Sequence, residues 1–210
     1  NDQKSFKRIT PKVGLNYRVS ATRSVYASIG GGLEAPAGNE TDPVGTFGQD
    51  TVTALNPLLD AITSTTYEVG TRHLFVRGDG LLRELSYDVA GYFTTVNNDI
   101  VPYRGGRFYF TAGTVHRTGA EFGANARLAH GLSVAGALSL SKNTYERYVV
   151  DSVHYGRAGH FADYSGNLMV GVPTVLLNGN VSWAPARANG LRVQVGMQQT
   201  GTYYADDANT

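Results

Sequence analysis

The densest group of side chains able to bind a ligand lies between Tyr145 and Tyr164, where Arg147, Tyr148, His154, Tyr155, Arg157, His160, Phe161 and Tyr164 fall in one short stretch. Guanidinium groups are permanent, forked donors, and aromatic faces stack on rings and attract cations. Together they suit an anionic ligand that itself carries rings. A second cluster, Tyr103, Arg104, Arg107, Phe108 and Tyr109, has the same character. The competing use of such aromatics is structural: they pack the loop that carries them, or form a belt at the edge of an apolar phase.

Other chemistries find little support. His154 and His160 with Asp151 and Asp163 match no strong zinc-ligand spacing. Asp206, Asp207 and Asn209 lack the remaining oxygen ligands and the fixed glycine of a calcium loop, and read as the start of another surface loop. There is no nucleophile elbow, phosphate-binding glycine loop or zinc helix. Gly30-Gly31-Gly32 is expected to precede a loop and not a helix, so it is no dinucleotide fingerprint. The chain has no cysteine, which excludes disulfides and thiolate metal sites. A net charge of +1 argues against a nucleic-acid partner. Neither an enzyme nor a cofactor is expected.

The elements that must carry these clusters are strands. The 210 residues are 41% hydrophobic, yet no run approaches the roughly 20 apolar residues of a spanning helix. Twenty-six glycines and thirteen tyrosines favour β-structure. Several segments alternate with period two. Val13, Leu15, Tyr17 and Val19 interleave with Lys12, Gly14, Asn16 and Arg18; Val175, Leu177, Val181 and Trp183 with Leu176, Asn178, Asn180 and Ser182; Leu191, Val193, Val195 and Met197 with Arg192, Gln194, Gly196 and Gln198. The pattern predicts eight strands, near residues 9–19, 25–34, 66–76, 83–96, 112–128, 132–144, 173–184 and 191–203.

The predicted connections alternate strictly between short and long. Residues 20–24, 77–82, 129–131 and 185–190 are tight links, whereas 34–65, 97–111 and 145–172 are long. Strands longer than ten residues, with short turns at one end and long loops at the other, describe an antiparallel barrel that crosses a membrane. A soluble β-sandwich, such as a carbohydrate-binding module, has no reason to keep that alternation, because both of its ends face the same solvent.

A series of landmarks then resembles the C-terminal barrel of TonB-dependent receptors. In order, these are Ile9-Thr10-Pro11-Lys12-Val13-Gly14-Leu15-Asn16-Tyr17, Val25-Tyr26-Ala27-Ser28 and Leu33-Glu34-Ala35-Pro36; Leu55-Asn56-Pro57 leading to Thr66-Tyr67-Glu68-Val69-Gly70-Thr71-Arg72; Val89-Ala90-Gly91-Tyr92-Phe93 with Asn98-Asp99-Ile100-Val101; Gly113 through Arg117-Thr118-Gly119-Ala120-Glu121; Gly171-Val172-Pro173; Trp183; and Tyr203 through Asn209. Two positions depart from the family's pattern: Leu58 stands where an acidic residue is usual, and Ala112 where Asn is usual. The resemblance implies an all-β, antiparallel transmembrane barrel segment, about eight strands of a plugged barrel of about 22. With no leader and Asn1 first, residues 1–210 are expected to be one partial barrel, lacking the plug, the TonB-contacting segment, the early strands and the terminal ones.

The function implied is uptake of a scarce ligand, a ferric siderophore or similar chelate, across the outer membrane of a Gram-negative bacterium. The implied partners are membrane lipid, the receptor's own plug and, through it, TonB. A passive porin-like channel is the rival within transport. Glu68, Arg72, Arg117, Glu121, Asn125, Arg192 and Gln194 are expected to face the lumen and plug. The loop residues Tyr103, Arg104, Arg147, His154, Tyr155, Arg157, His160 and Tyr164 are the expected ligand contacts.

Overall fold

The computed structural model describes residues 5–37, 60–103, 108–111, 113–150, 159, 161–187 and 189–210. Its centre is one eight-stranded antiparallel sheet built from β1 (Lys12–Ser20), β2 (Arg23–Glu34), β3 (Ile62–Val76), β4 (Leu82–Asn97), β7 (Thr114–Leu128), β8 (Leu132–Arg147), β11 (Val175–Trp183) and β12 (Val193–Thr200), each paired with the next. These are the eight expected strands, with ends shifted by a few residues. Two hairpins were not anticipated. β5 (Ile100–Tyr103) pairs with β6 (Phe108–Thr111), and β9 (Val149–Val150) with β10 (Ala162–Asp163), both inside connections read from sequence as plain loops.

The tight links have local causes. Gly80 (φ 82), the His130–Gly131 pair (φ 62 and 77) and the Asn189–Gly190 pair (φ 46 and 86) adopt left-handed backbone, which Gly and Asn tolerate best. The third link is a single 3-10 turn, Ala129–Gly131. At Gly131 a Cβ would also collide with the Ala184 carbonyl. Gly30-Gly31-Gly32 lies within β2, inside the predicted strand 25–34, opposite Thr66, Thr65 and Ser64, and residues 35–37 after the strand are not helical. Gly32 leaves room for the Ser64 hydroxyl, which would sit 2.5 Å from a Cβ there.

Register fixes the faces, because successive side chains of a strand point to opposite sides. One face carries Val13, Leu15 and Tyr17, then Ile29, Val69, Val89, Phe122, Leu138, Leu177, Val181, Trp183, Val195 and Met197. These residues are not covered: Val13 is 66% exposed, Leu15 73% and Val195 68%. Apolar patches this extensive on a soluble surface would be a liability. Among the described residues no second large sheet packs on this face, so the soluble-sandwich alternative fails: its apolar side chains would have to converge on a shared interior.

Four strands, β3, β4, β7 and β8, run to 15 or 16 residues. Since about 9–11 residues suffice to span a bilayer, they project beyond it at one end. Trp183 marks the opposite end, near the short turns. Its indole N–H donates to the His130 carbonyl at 3.2 Å, the arrangement suited to a ring half in lipid and half in water. β1 and β12 form the two open edges and are exposed along their whole length.

Candidate functional site

The polar face is the candidate functional surface. Glu68 lies between Ser28 and Tyr92, and Arg72 between Ser24 and Asp88. Arg117 lies between Thr94 and Asn143, Glu121 between Ala90 and Ser139, and Asn125 between Ser86 and Ala135. Gln194 is opposite Ser182. All six share one side of the sheet. Arg192 precedes β12 and stands outside the ladder.

Hollows along this side are lined by residues such as Arg72 and Asp88, or Gly123, Asn178 and Gln198. The Tyr26 hydroxyl donates to Glu68 Oε1 at 2.6 Å, and the Arg72 guanidinium lies 5.5 Å from the Tyr26 ring centre. The ring lies against Gly70 on the neighbouring strand, where a Cβ would come within 2.6 Å of it. Tyr92 covers Gly119 in the same way, at 2.5 Å. Both tyrosines therefore lie along the sheet, over a glycine of the neighbouring strand. Glycine across from an aromatic residue is a device that permits this packing.

The wall is divided by charge. From β1 to β7 it carries Lys12, Arg18, Glu68, Arg72, Glu84, Asp88, Arg117, Glu121 and Arg127, with Glu84 and Arg127 paired near the short turns. On β8 below Arg147, and on β11 and β12, the same face offers neutral groups, among them Ala135, Ala137, Asn178, Asn180, Gln194 and Gln198.

At the loop end this face becomes apolar. Val96, Val115, Tyr145, Tyr148 and Val150 form a small buried core, with Ile62, Tyr164 and Met169 packed against it. Arg117 and Asp99 bind each other beneath it at 2.9 Å. Tyr145 and Tyr148, each 1% exposed, point both hydroxyls at Asp207, at 2.9 and 3.2 Å. Burial, and next the Asp207 charge, push the Tyr148 hydroxyl well above the usual tyrosine range.

The loop residues singled out from sequence divide four ways. Arg147 is exposed at the end of β8. Tyr164 is half-buried, its ring 5.1 Å from that of Tyr148, so these two aromatics pack the loop as the competing reading allowed. Tyr103 ends β5, with its backbone paired to Phe108. Arg104, Arg107, His154, Tyr155, Arg157 and His160 lie outside the described residues. Among the described residues no group of three His, Asp or Glu side chains could hold a metal ion. Asp163 instead accepts the Ser165 N–H at 2.9 Å; the Ser165 hydroxyl and amide hold its carboxyl below the usual range.

Sequence reasoning missed Tyr145, and treated Asp207 and Asn209 as the start of a loop. Asn209 in fact grips the backbone of Leu168 from both sides, accepting its N–H at 2.7 Å and donating to its carbonyl at 2.9 Å. The available signal was the Asp206-Asp207-Ala208-Asn209 cluster following a strand, which resembles a backbone-capping motif as much as a metal loop.

A family model described as TonB dependent receptor-like, beta-barrel, matches residues 1–210. The chain belongs to that family. TonB-dependent receptors are transporters and not enzymes, and their barrels reside in the outer membrane of Gram-negative bacteria, which is where this chain belongs.

Solved structures share the fold. The ferric yersiniabactin uptake receptor FyuA from Yersinia pestis is 19% identical with a TM-score of 0.65, and the match covers 94% of this chain and 26% of that one. The ferric-catecholate import receptor Fiu from E. coli K12 is 16% identical with a TM-score of 0.61, over 93% of this chain and 25% of that one. The ferric enterobactin receptor PfeA from Pseudomonas aeruginosa, as its G324V mutant, is 19% identical with a TM-score of 0.61, over 93% and 28%. The chain therefore spans about a quarter of the length of these receptors. No curated protein sequence matches it.

Proposed function

We propose that the chain is the wall of an active-transport receptor that captures a ferric siderophore or similar chelate and admits it when TonB acts on a plug inside the barrel. The observation that carries the reading is the sheet itself: one face largely apolar and uncovered, the other polar and charged. A lumen wall with paired and unpaired charges suits a removable plug, because partly exposed ion pairs are worth only about 0–1 kcal/mol each. Glu68, Arg72, Arg117, Glu121, Asn125 and Gln194 are the proposed lumen and plug contacts, and Arg192 is their neighbour below β12.

The unpaired edges at β1 and β12 support a larger barrel, since lipid cannot satisfy exposed backbone N–H and C=O groups. The plug, the TonB-contacting segment and the remaining strands belong to this proposal. So do the loop contacts: Tyr103, Arg104, Arg147, His154, Tyr155, Arg157, His160 and Tyr164 are the proposed ligand-facing set, with Arg147 exposed at the end of β8.

The test is uptake of radio-iron as ferric catecholate and ferric hydroxamate chelates by cells producing the full-length receptor, with and without TonB. Accumulation that requires both receptor and TonB is expected. Equal, non-saturating entry in cells lacking TonB would make the protein a passive channel instead.

A further inference from the structure

Above the sheet, two segments far apart in sequence continue its strand order. Residues 166–169 run beside β8: the Tyr145 N–H donates to the Asn167 carbonyl at 3.0 Å and the Met169 N–H to the Asn143 carbonyl at 2.9 Å. The segment after β12 runs beside them in turn. The Gly171 N–H donates to the Tyr204 carbonyl at 2.9 Å, the Asn167 amide to the Asp207 carbonyl at 2.7 Å, and Asn209 grips Leu168. Backbone bonds alone would make a frayed sheet edge. What distinguishes this one is the Asp207 carboxylate, whose two oxygens each accept a hydroxyl from a fully buried tyrosine of the small core, Tyr145 and Tyr148.

We propose that Asp207 is a positioning residue for ligand capture: it locks the β8–β11 connection to the segment after β12, so that the two outer segments move as one body. The proposal rests on the receptor reading above. It follows from the chemistry of the lock. A carboxylate accepting two hydroxyl hydrogen bonds at a core's margin is stronger and more directional than neutral pairs. Its partners sit at the root of the connection to β11: Tyr148 follows Arg147, the last residue of β8, and its ring lies 5.1 Å from that of Tyr164. A ligand touching either segment then encounters both in a fixed relation, and less ordering entropy opposes binding. Nothing about Asp207 requires it to touch the ligand.

The experiment uses the full-length receptor, purified and in cells, with Asp207→Ala, Asp207→Glu, Tyr148→Phe and the double variant Asp207→Ala/Tyr148→Phe. Barrel assembly is followed by heat-modifiable electrophoresis. Cleavage of the β8–β11 connection by thermolysin should accelerate about a hundredfold or more in Asp207→Ala, the worth of the two charge-assisted hydrogen bonds it removes, with partial rescue in Asp207→Glu. Tyr148→Phe should add little once Asp207 is gone, the signature of a shared interaction. The KM for uptake of the ferric chelate should rise in step with cleavage while the maximal rate changes less than about twofold.

Unchanged cleavage in Asp207→Ala, or additive effects in the double variant, would overturn the lock. Faster cleavage with an unaltered KM would overturn its part in capture. Failure of the wild-type receptor to take up either chelate would instead refute the receptor reading, and would leave the cleavage result standing by itself.

Discussion

Phe122→Arg offers a direct test of which face meets lipid. Phe122 sits in the central part of β7, between Val89 of β4 and Leu138 of β8 on the apolar face, and is 44% exposed although it lies inside the sheet. Its neighbours on that face, Val89, Leu138, Tyr87 and Leu140, include no carboxylate to pair with a guanidinium. An arginine at the bilayer midplane costs about 2–4 kcal/mol, and losing the phenyl group adds a penalty of the same sign. At about 1.4 kcal/mol per tenfold, the folding equilibrium in lipid should fall by about 30- to 700-fold. Asn125→Arg places the same cation on the same strand but on the polar face, between Ser86 and Ala135, and should cost little. The assay is urea titration of the full-length receptor folded into phospholipid vesicles, with heat-modifiable electrophoresis reporting assembly in cells. Equal free-energy losses for Phe122→Arg and Asn125→Arg would refute the assignment of faces and, with it, the membrane reading of the sheet.

Val195→Arg should likewise lower outer-membrane yield while Gln194→Arg is tolerated, because the two residues point to opposite faces of β12, facing Val181 and Ser182 respectively. Gly70→Ala would set a Cβ 2.6 Å from the Tyr26 ring and should destabilise by about 1–3 kcal/mol. Removing the ring with Tyr26→Ala should relieve much of that loss. Gly119→Ala should not be rescued by Tyr92→Ala, because the Leu140 carbonyl, 2.7 Å away, remains in place; equal rescue at both sites in vesicle unfolding would contradict the register. Tyr148 has a raised pKa in the folded protein, so its contribution to the loop core is complete below the ordinary value of 10.0 and is lost progressively as pH climbs from there through the raised one. Ultraviolet titration, wild type minus Tyr148→Phe, should show no tyrosinate absorbance from this residue near its ordinary value; a normal titration there would refute its burial.

Period-two alternation and the rhythm of short and long connections were enough to place eight strands and their two faces. Both are local consequences of the pleat: once a strand is extended, the side of each residue follows from its parity, as with Val195 and Gln194. The cluster of Glu68, Arg72, Arg117 and Glu121 on one side follows from the same parity, once neighbouring strands are known to be antiparallel and in order. The loop end could not be obtained that way. The hairpins β5–β6 and β9–β10 are too short for periodicity to register, and a loop tyrosine carries no mark that tells core from ligand contact.

Tertiary structure alone brought Asp207 to Tyr145 and Tyr148, about 60 residues earlier in the chain. It also turned Tyr26 flat across Gly70 and divided the wall into a charged and a neutral half. Those relations depend on register between strands and on where long connections return. Loop closure over tens of residues is settled by the sum of many weak contacts and not by any residue's own preference.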